Sequence, residues 1–124
     1  MTISTANTLA ELHEALDAPR QPSAAQGPWR WTVRRRMASV RDALAREPDG
    51  DTDGWLSARH GRSARERAAL LARLHALGPQ VLEADDVEGV RTELKRLLND
   101  IDHHVQRRND LAYDEVELEI GGSE

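Results

Sequence analysis

The chain of 124 residues carries 22 acidic and 17 basic side chains, a formal net charge of −5, and no cysteine. The lack of cysteine excludes disulfides, thiolate metal sites and thiol chemistry. The acidic balance argues against a general nucleic-acid coat or a membrane-surface protein. No apolar run approaches the length of about 18 residues that a membrane span needs. The N-terminus lacks the basic start and apolar run of a signal peptide, so we expect one cytoplasmic domain over residues 1–124.

The first predicted helix opens on a capping-box pattern, with Thr8 as N-cap and Glu11 reaching back to it. Its apolar stripe consists of leucines about one turn apart: Leu9, Leu12 and Leu16. We expect the helix to end near Asp17. Residues 18–28 hold three prolines and a glycine, which predicts a linker.

The second helix is predicted to begin near Pro28, a residue well suited to a first helical turn. Its apolar stripe follows steps of four, three and four residues: Val33, Met37, Val40 and Leu44. The acidic, glycine-containing stretch 47–54 ends it. These spacings predict one buried helical face.

The third helix is predicted to follow this turn, with an interruption at Gly61 and a second capping box formed by Ser63 and Glu66. Its stripe is again made of leucines: Leu70, Leu71, Leu74 and Leu77. Gly78-Pro79 is the expected C-terminal stop.

The fourth helix has the clearest pattern, a seam with alternating steps of three and four: Val87, Val90, Leu94, Leu97, Ile101, His104, Arg108, Leu111, Glu115 and Leu118. Near the C-terminus Val116, Leu118 and Ile120 alternate with glutamates, which is a strand-like period. The sequence therefore predicts an all-α, up-and-down bundle of about four helices with an extended acidic tail over 114–124.

Two of the five histidines, His103 and His104, are adjacent in the fourth helix. Successive helical positions are about 100° apart, so both cannot face the core, and His104 lies on the seam. Together with His13 and His75, His104 forms the set of candidate ligands for a metal site inside the bundle. The favoured interpretation is a buried histidine that bonds a carboxylate and sets the helix register.

The segment LLNDIDHHVQRRNDLAYDEVELEIGGSE, about a quarter of the chain, resembles the C-terminus of small actinobacterial helical proteins that are loosely similar to hemerythrin-type bundles. This resemblance implies a helical bundle and no established activity. Hemerythrins use paired histidines four residues apart and a final histidine followed five residues later by aspartate. This sequence has no histidine pair four residues apart, and the residue five positions after His104 is Asn109. The resemblance therefore implies the shape of the bundle and does not imply the di-iron site.

The stretch DGDTDGWLSARH matches part of an EF-hand loop. Asp49, Asp51 and Asp53 occupy the positions of alternating calcium ligands, and Gly54 follows them where a sharp turn is needed. His60 stands where a bidentate glutamate closes such a site, and histidine is a poor ligand for a hard cation. We favour a helix–helix turn in which Asp53 caps the third helix, with a calcium site as the alternative.

Charge is unevenly distributed along the chain. The second helix carries a basic group: Arg30, Arg34, Arg35, Arg36 and Arg41. The C-terminal segment carries an acidic group: Asp114, Glu115, Glu117 and Glu119. We favour a clasp between the two, within one chain or between subunits. Aromatics among the arginines leave nucleic-acid or anion binding as a weaker alternative.

The sequence contains no phosphate-binding glycine loop and no nucleophile elbow. It therefore predicts a non-enzymatic cytoplasmic protein that interacts with a protein partner or with itself, for example as a homodimer through the fourth helix. No cofactor is predicted. A metal-binding bundle is the rival hypothesis.

Overall fold

The computed structural model describes residues 4–18, 26–48 and 56–122, the last range without the side chains of 115 and 118–122. The described residues form no strand and four helices: α1 Thr5–Asp17, α2 Gln26–Ala45, α3 Ser57–Glu83 and α4 Val87–Gly122. The prediction of an all-α bundle of about four helices is confirmed. Within the described ranges, no helix is both long and apolar enough to cross a membrane.

Side-chain contacts show that neighbouring helices alternate in direction. His13 of α1 contacts Asp102 of α4, and Asp17, further along α1, contacts Lys95, which comes earlier in α4. The same reversal relates α3 to α4, in the pairs Arg59–Asp114 and Arg73–Asp100. Among the described residues α2 packs on α1 and α3, and α4 packs on α3 and α1. The bundle is therefore up-and-down, with α2 and α4 on a diagonal.

The core is aliphatic and runs the length of the bundle. It consists of the predicted stripes with few additions: Leu9, Leu12, Leu16, Val33, Met37, Val40, Leu44, Leu70, Leu74, Val81, Leu94, Leu97, Leu98 and Ile101. Trp29 packs at its edge, where the indole Nε1 donates to the carbonyl of Ala15 at 3.0 Å. The helical periodicity of the sequence thus identified the buried face of every helix.

The first helix begins earlier than its capping pattern indicated. Ser4 is the N-cap, and its hydroxyl accepts a hydrogen bond from the backbone N–H of Asn7 at 3.1 Å. Thr8, the predicted cap, lies inside the helix, where its hydroxyl donates to the carbonyl of Thr5. A buried threonine can satisfy its hydroxyl on the preceding turn, so the capping-box pattern was not decisive here.

Three predicted breaks between or within helices are wholly or partly helical. Helix α2 already begins at Gln26, so the predicted linker over 18–28 is too long at its C-terminal end. Helix α3 continues through Gly61 and through Gly78-Pro79 as far as Glu83. Pro79 costs one backbone hydrogen bond, but the helix continues past it, with Val81 buried in the core. Tertiary packing here outweighs the local stop signal.

The prediction of an extended tail over 114–124 is wrong for residues 114–122, because α4 runs on to Gly122, and the last two residues lie outside the described ranges. Its 36 residues correspond to a length of about 54 Å. An isolated strand would leave its backbone N–H and C=O groups without partners, whereas a helix satisfies them internally. The alternation of Val116 with its neighbours was therefore a weaker signal than the continuing helical seam.

A matched pair of substitutions tests which valines form the core. Val40 is fully buried, whereas Val116 is 52% exposed. We expect Val40→Ala to lower the free energy of unfolding by about 2 kcal/mol, since two methyl groups leave a packed interior. Val116→Ala should change it by less than about 0.5 kcal/mol. Urea denaturation followed by circular dichroism measures both, and equal losses would contradict the packing described.

Candidate functional site

At one end of the bundle, the apolar stripes of three helices are each continued by a polar residue. These are Glu47 after Leu44, Glu66 before Leu70, and His104 after Ile101. Glu47 lies just beyond α2, Glu66 on α3 and His104 on α4. The helical spacing that buries the leucines therefore brings three ionisable groups into one layer of the core.

His104 is fully buried between the two glutamates. Its Nδ1 lies 2.6 Å from Oε1 of Glu66, and its Nε2 lies 2.9 Å from Oε2 of Glu47. A carboxylate accepts hydrogen bonds, so a ring that faces a carboxylate at both nitrogens is best satisfied as the imidazolium, which donates at both. The histidine thus links α4 to α3 and to the end of α2.

Three arginines surround this layer. Arg107 lies against Glu66, with Nη2 2.7 Å from Oε2 and Nε 3.3 Å from Oε1. Nε of Arg108 lies 3.3 Å from Oε2 of Glu47. Arg67 donates to the backbone carbonyl of Glu47 at 2.8 Å. The two buried or half-buried carboxylates therefore face several cations, which offsets the cost of removing them from water.

The charges in this layer shift the pKa of both the histidine and its α3 partner. Burial alone would lower the pKa of His104, but the hydrogen bonds and negative charges of Glu47 and Glu66 outweigh it and raise that pKa above its ordinary value. Burial would raise the pKa of Glu66, but its hydrogen bonds with Arg107 and His104 lower it. Both shifts favour the charged pair.

The histidines proposed as metal ligands have separate surroundings. His13 is half-exposed, with its Nε2 2.8 Å from Oδ2 of Asp102, and His75 is exposed on α3. His104 uses both ring nitrogens on carboxylates and so offers no lone pair to a metal. Within the described ranges, no three His, Cys, Asp or Glu side chains are placed to hold a metal ion.

The calcium hypothesis rested on Asp49, Asp51 and Asp53, which lie outside the described residues. The chain leading to them is held at Glu47 and at Pro48, whose carbonyl accepts a hydrogen bond from Arg108 at 2.9 Å. His60, which the EF-hand comparison placed at the closing position, is buried on the first turns of α3.

The arginines of α2 have several different surroundings. Arg30 donates to the carbonyls of Val81 and Ala84, at 3.3 and 2.6 Å, and so satisfies the C-terminal end of α3. Arg36 pairs with Glu11 of α1 at 3.1 Å. Arg30 and Arg36 therefore bond groups of the same chain. The remaining members are Arg34, half-buried with its guanidinium beside Gly78, Arg35, exposed, and Arg41, paired with Asp42.

The acidic group at the C-terminus does not contact these arginines in the described part of the chain. Asp114 pairs with Arg59 of α3 at 2.9 Å, and Glu117 is exposed. The side chains of Glu115 and Glu119 are not among those that the structure describes. The contacts described here thus include no intramolecular clasp between α2 and the C-terminal acids, and a clasp between subunits stays a prediction.

Sequence reasoning identified His104 but missed both of its partners. Glu66 was assigned to a capping box with Ser63, and Glu47 to a turn. A usable signal was present, because Glu47 and Glu66 each fall on the next position of an apolar stripe. Three polar residues on three stripes, at ends that an up-and-down topology brings together, indicate a shared buried cluster.

Comparisons with models of protein families, with curated proteins and with solved structures find no match to this chain. The resemblance to small actinobacterial helical proteins and to hemerythrin-type bundles therefore stays a prediction. The function has to be argued from the geometry.

The raised pKa of His104 predicts how stability depends on pH. A group whose pKa is higher in the folded state binds its proton more tightly there, so its contribution is complete below the unfolded value of about 6.5. It is lost as the pH rises through the raised folded value. We expect His104→Gln to cost about 3 kcal/mol at pH 6, because two carboxylates lose their cation. Urea denaturation from pH 5.5 to 9 measures this, and the cost should shrink as the pH rises.

His103→Gln is the matched control, because His103 is the exposed neighbour of His104 on the same helix. It should leave stability and its pH profile close to those of the wild type. If the two variants behave alike, or if the cost of His104→Gln is independent of pH, the buried imidazolium described here is wrong.

Proposed function

We propose that this chain is a non-enzymatic interaction protein that associates with further copies of itself, and we keep a cytoplasmic location as an expectation. The proposal is carried by one observation: large exposed apolar side chains on two helices are surrounded by charges of opposite sign. The bundle serves as the framework that holds the two surfaces.

The first surface, here termed the acidic patch, consists of Asp110, Tyr113, Val116 and Glu117 on α4. Tyr113 is 64% exposed and Val116 is 52% exposed. Spacings of three, four and seven residues place all four side chains on one helical face. Asp110 and Glu117 are exposed beside the two apolar residues. An apolar centre with a charged rim is the usual composition of a protein interface.

The second surface, here termed the basic patch, consists of Trp31, Arg34 and Arg35 on α2. Trp31 is 60% exposed, which is a large area for an indole to leave in water. Arg34 and Arg35, about one turn further on, flank it on either side. Tryptophan, tyrosine and arginine are the residue types most enriched at the energetic centres of interfaces.

Charge complementarity selects the partner of the acidic patch. Two copies joined through α4 alone would place acidic side chains opposite each other, because residues 109–124 contain six acids and no base. Like charges in contact disfavour that arrangement. The basic patch of a second copy supplies both the opposite charge and an apolar centre, so we favour α4 on α2 over a dimer through the fourth helix itself.

The two patches lie at opposite ends of the bundle. The α2 residue Arg30, next to Trp31, contacts the C-terminal end of α3, whereas Asp114, next to Tyr113, contacts Arg59 near its beginning. Helices α2 and α4 are also diagonal to each other. One chain therefore cannot join its own patches, and contacts between copies run head to tail, which generates rings or open chains.

The surroundings of His104 support a structural role over one in catalysis. A general acid or base needs access to the group from which it takes, or to which it gives, a proton. His104 is fully buried and its two nitrogens are engaged by glutamates. We therefore assign it to the framework that presents the patches.

A charge-exchange experiment tests the proposal. We expect sedimentation velocity between about 10 and 200 µM to show concentration-dependent association of the wild type, weaker in high salt because the contact is partly ionic. Arg35→Glu and Glu117→Lys should each weaken association about tenfold, through one repulsive pair. The double variant should restore most of it, because the pair is re-formed with exchanged signs.

Arg96→Glu is the matched control, because Arg96 is exposed on α4 and its one ion pair within the described ranges is the local one with Glu93 at 3.1 Å. It should associate like the wild type. Circular dichroism confirms that each variant keeps its helices. A wild type that is monomeric throughout, or a double variant no better than either single one, would overturn the proposal.

A further inference from the structure

Apart from the acidic and basic patches, the surface has a cleft of about 260 Å³ between α3 and α4, on the outer side of the layer that contains His104. Its walls come from the first turns of α3 and from the middle of α4. The lining residues are Arg59, Arg62, Ser63, Glu66, Arg107, Asp110 and Leu111. The cleft is partly enclosed, and apolar surface, including the buried Leu111, forms the larger part of its lining, with the polar groups at the positions named above.

Positive charge predominates in this cleft, although the whole chain has a net charge of −5. Three arginines line it against two acids, and Asp114, which pairs with Arg59, lies outside the lining. The carboxylate of Glu66 is already covered by Arg107 and by the buried His104. Arg62 is exposed, and in the described part of the chain no acid pairs with it. The guanidinium of Arg62 is thus available to a ligand.

Ser63 provides a second, independent observation. Its hydroxyl Oγ is shielded from water and has no hydrogen-bond partner among the described residues. A buried hydroxyl without a partner costs free energy. Serine changes rotamer readily, so a rotation about χ1 can aim Oγ at an acceptor in the cleft. The unsatisfied donor and the available guanidinium belong to successive residues of α3, and both residues line the cleft.

We propose that this cleft binds a phosphate-type oxyanion, held by Arg62, by the hydroxyl of Ser63 and by the outer N–H groups of Arg59 and Arg107. A guanidinium presents donors in a planar fork that matches two oxygens of a phosphate. Donors from two helices approach from different directions, which suits a tetrahedral anion better than a planar carboxylate. The proposal is independent of self-association, which uses other residues of α2 and α4 apart from the bordering Asp110.

The test uses inorganic phosphate as the probe, at pH 7.5 where most of it is the dianion. We expect phosphate to raise the melting temperature of the full chain relative to chloride at equal ionic strength, and titration calorimetry to give a saturable isotherm. Sulfate, which is also tetrahedral, should bind as well, and acetate much more weakly. Equal melting temperatures in phosphate and chloride would overturn the proposal.

Two variants assign the binding to the cleft. Arg62→Ala should weaken phosphate binding about tenfold, since it removes a charge-assisted donor. Ser63→Ala should weaken binding severalfold, yet without phosphate it should melt no lower than the wild type, because none of the described residues forms a hydrogen bond with the Ser63 hydroxyl. A merely structural serine would not show this separation.

The control is Arg96→Ala, which removes the same charge as Arg62→Ala at an exposed site of α4 away from the cleft. It should bind phosphate as the wild type does. If Arg96→Ala weakens binding as much as Arg62→Ala does, phosphate responds only to the overall charge and the site assignment fails. Binding that is lost in Arg62→Ala but unchanged in Ser63→Ala would remove the serine from the proposal.

Discussion

The buried imidazolium of His104, held between Glu47 and Glu66, is the interaction on which the arrangement of this bundle depends. Aliphatic stripes bury area in many registers, because one leucine fills the place of another at modest cost. A charge inside the core tolerates no such freedom, since a displacement of one helix by one turn, about 5.4 Å, would leave it unpaired. The polar layer therefore selects one register of α3 and α4, and it holds the end of α2 to both.

The opposite end of the bundle is stabilised by a different device. There, helix ends leave backbone carbonyls without intrahelical partners. Arg91 donates to the carbonyl of Leu16 at 2.9 Å and stacks on Trp29, with its guanidinium carbon 4.8 Å from the ring centroid. Arg30 satisfies carbonyls at the end of α3 in the same way. One end of the core is thus closed by paired charges, and the other by arginines that bond main-chain oxygens.

The sequence was sufficient to predict the fold but not the partners of His104, and the reason is physical. Apolar periodicity indicates which face of each helix is buried, and the buried faces of four helices define the bundle. The partner of a buried polar group is a tertiary contact, and Ser63 with Glu66 carries an equally good local pattern for a helix cap. Glu66 pairs with cations instead of capping a helix. A carboxylate on a buried stripe costs more free energy without a cation than an interior helical turn costs without a cap. The C-terminal residues of α4 are helical for a similar reason, because the helical seam outweighs the strand-like alternation around Val116.

The choice of arginine over lysine follows from these contacts. Lys95 is the only lysine among the 17 basic residues. Arg30 bonds two carbonyls at once and Arg107 bonds both oxygens of Glu66, which a planar guanidinium with five donors can do and an ammonium cannot do with the same fixed geometry. An arginine that bonds in this way has fewer N–H groups left for an outer surface, as Arg107 does beside the cleft. Arg35 and Arg62 are exposed and outside these networks, so their guanidinium groups are available for the proposed recognition of a partner and of an anion.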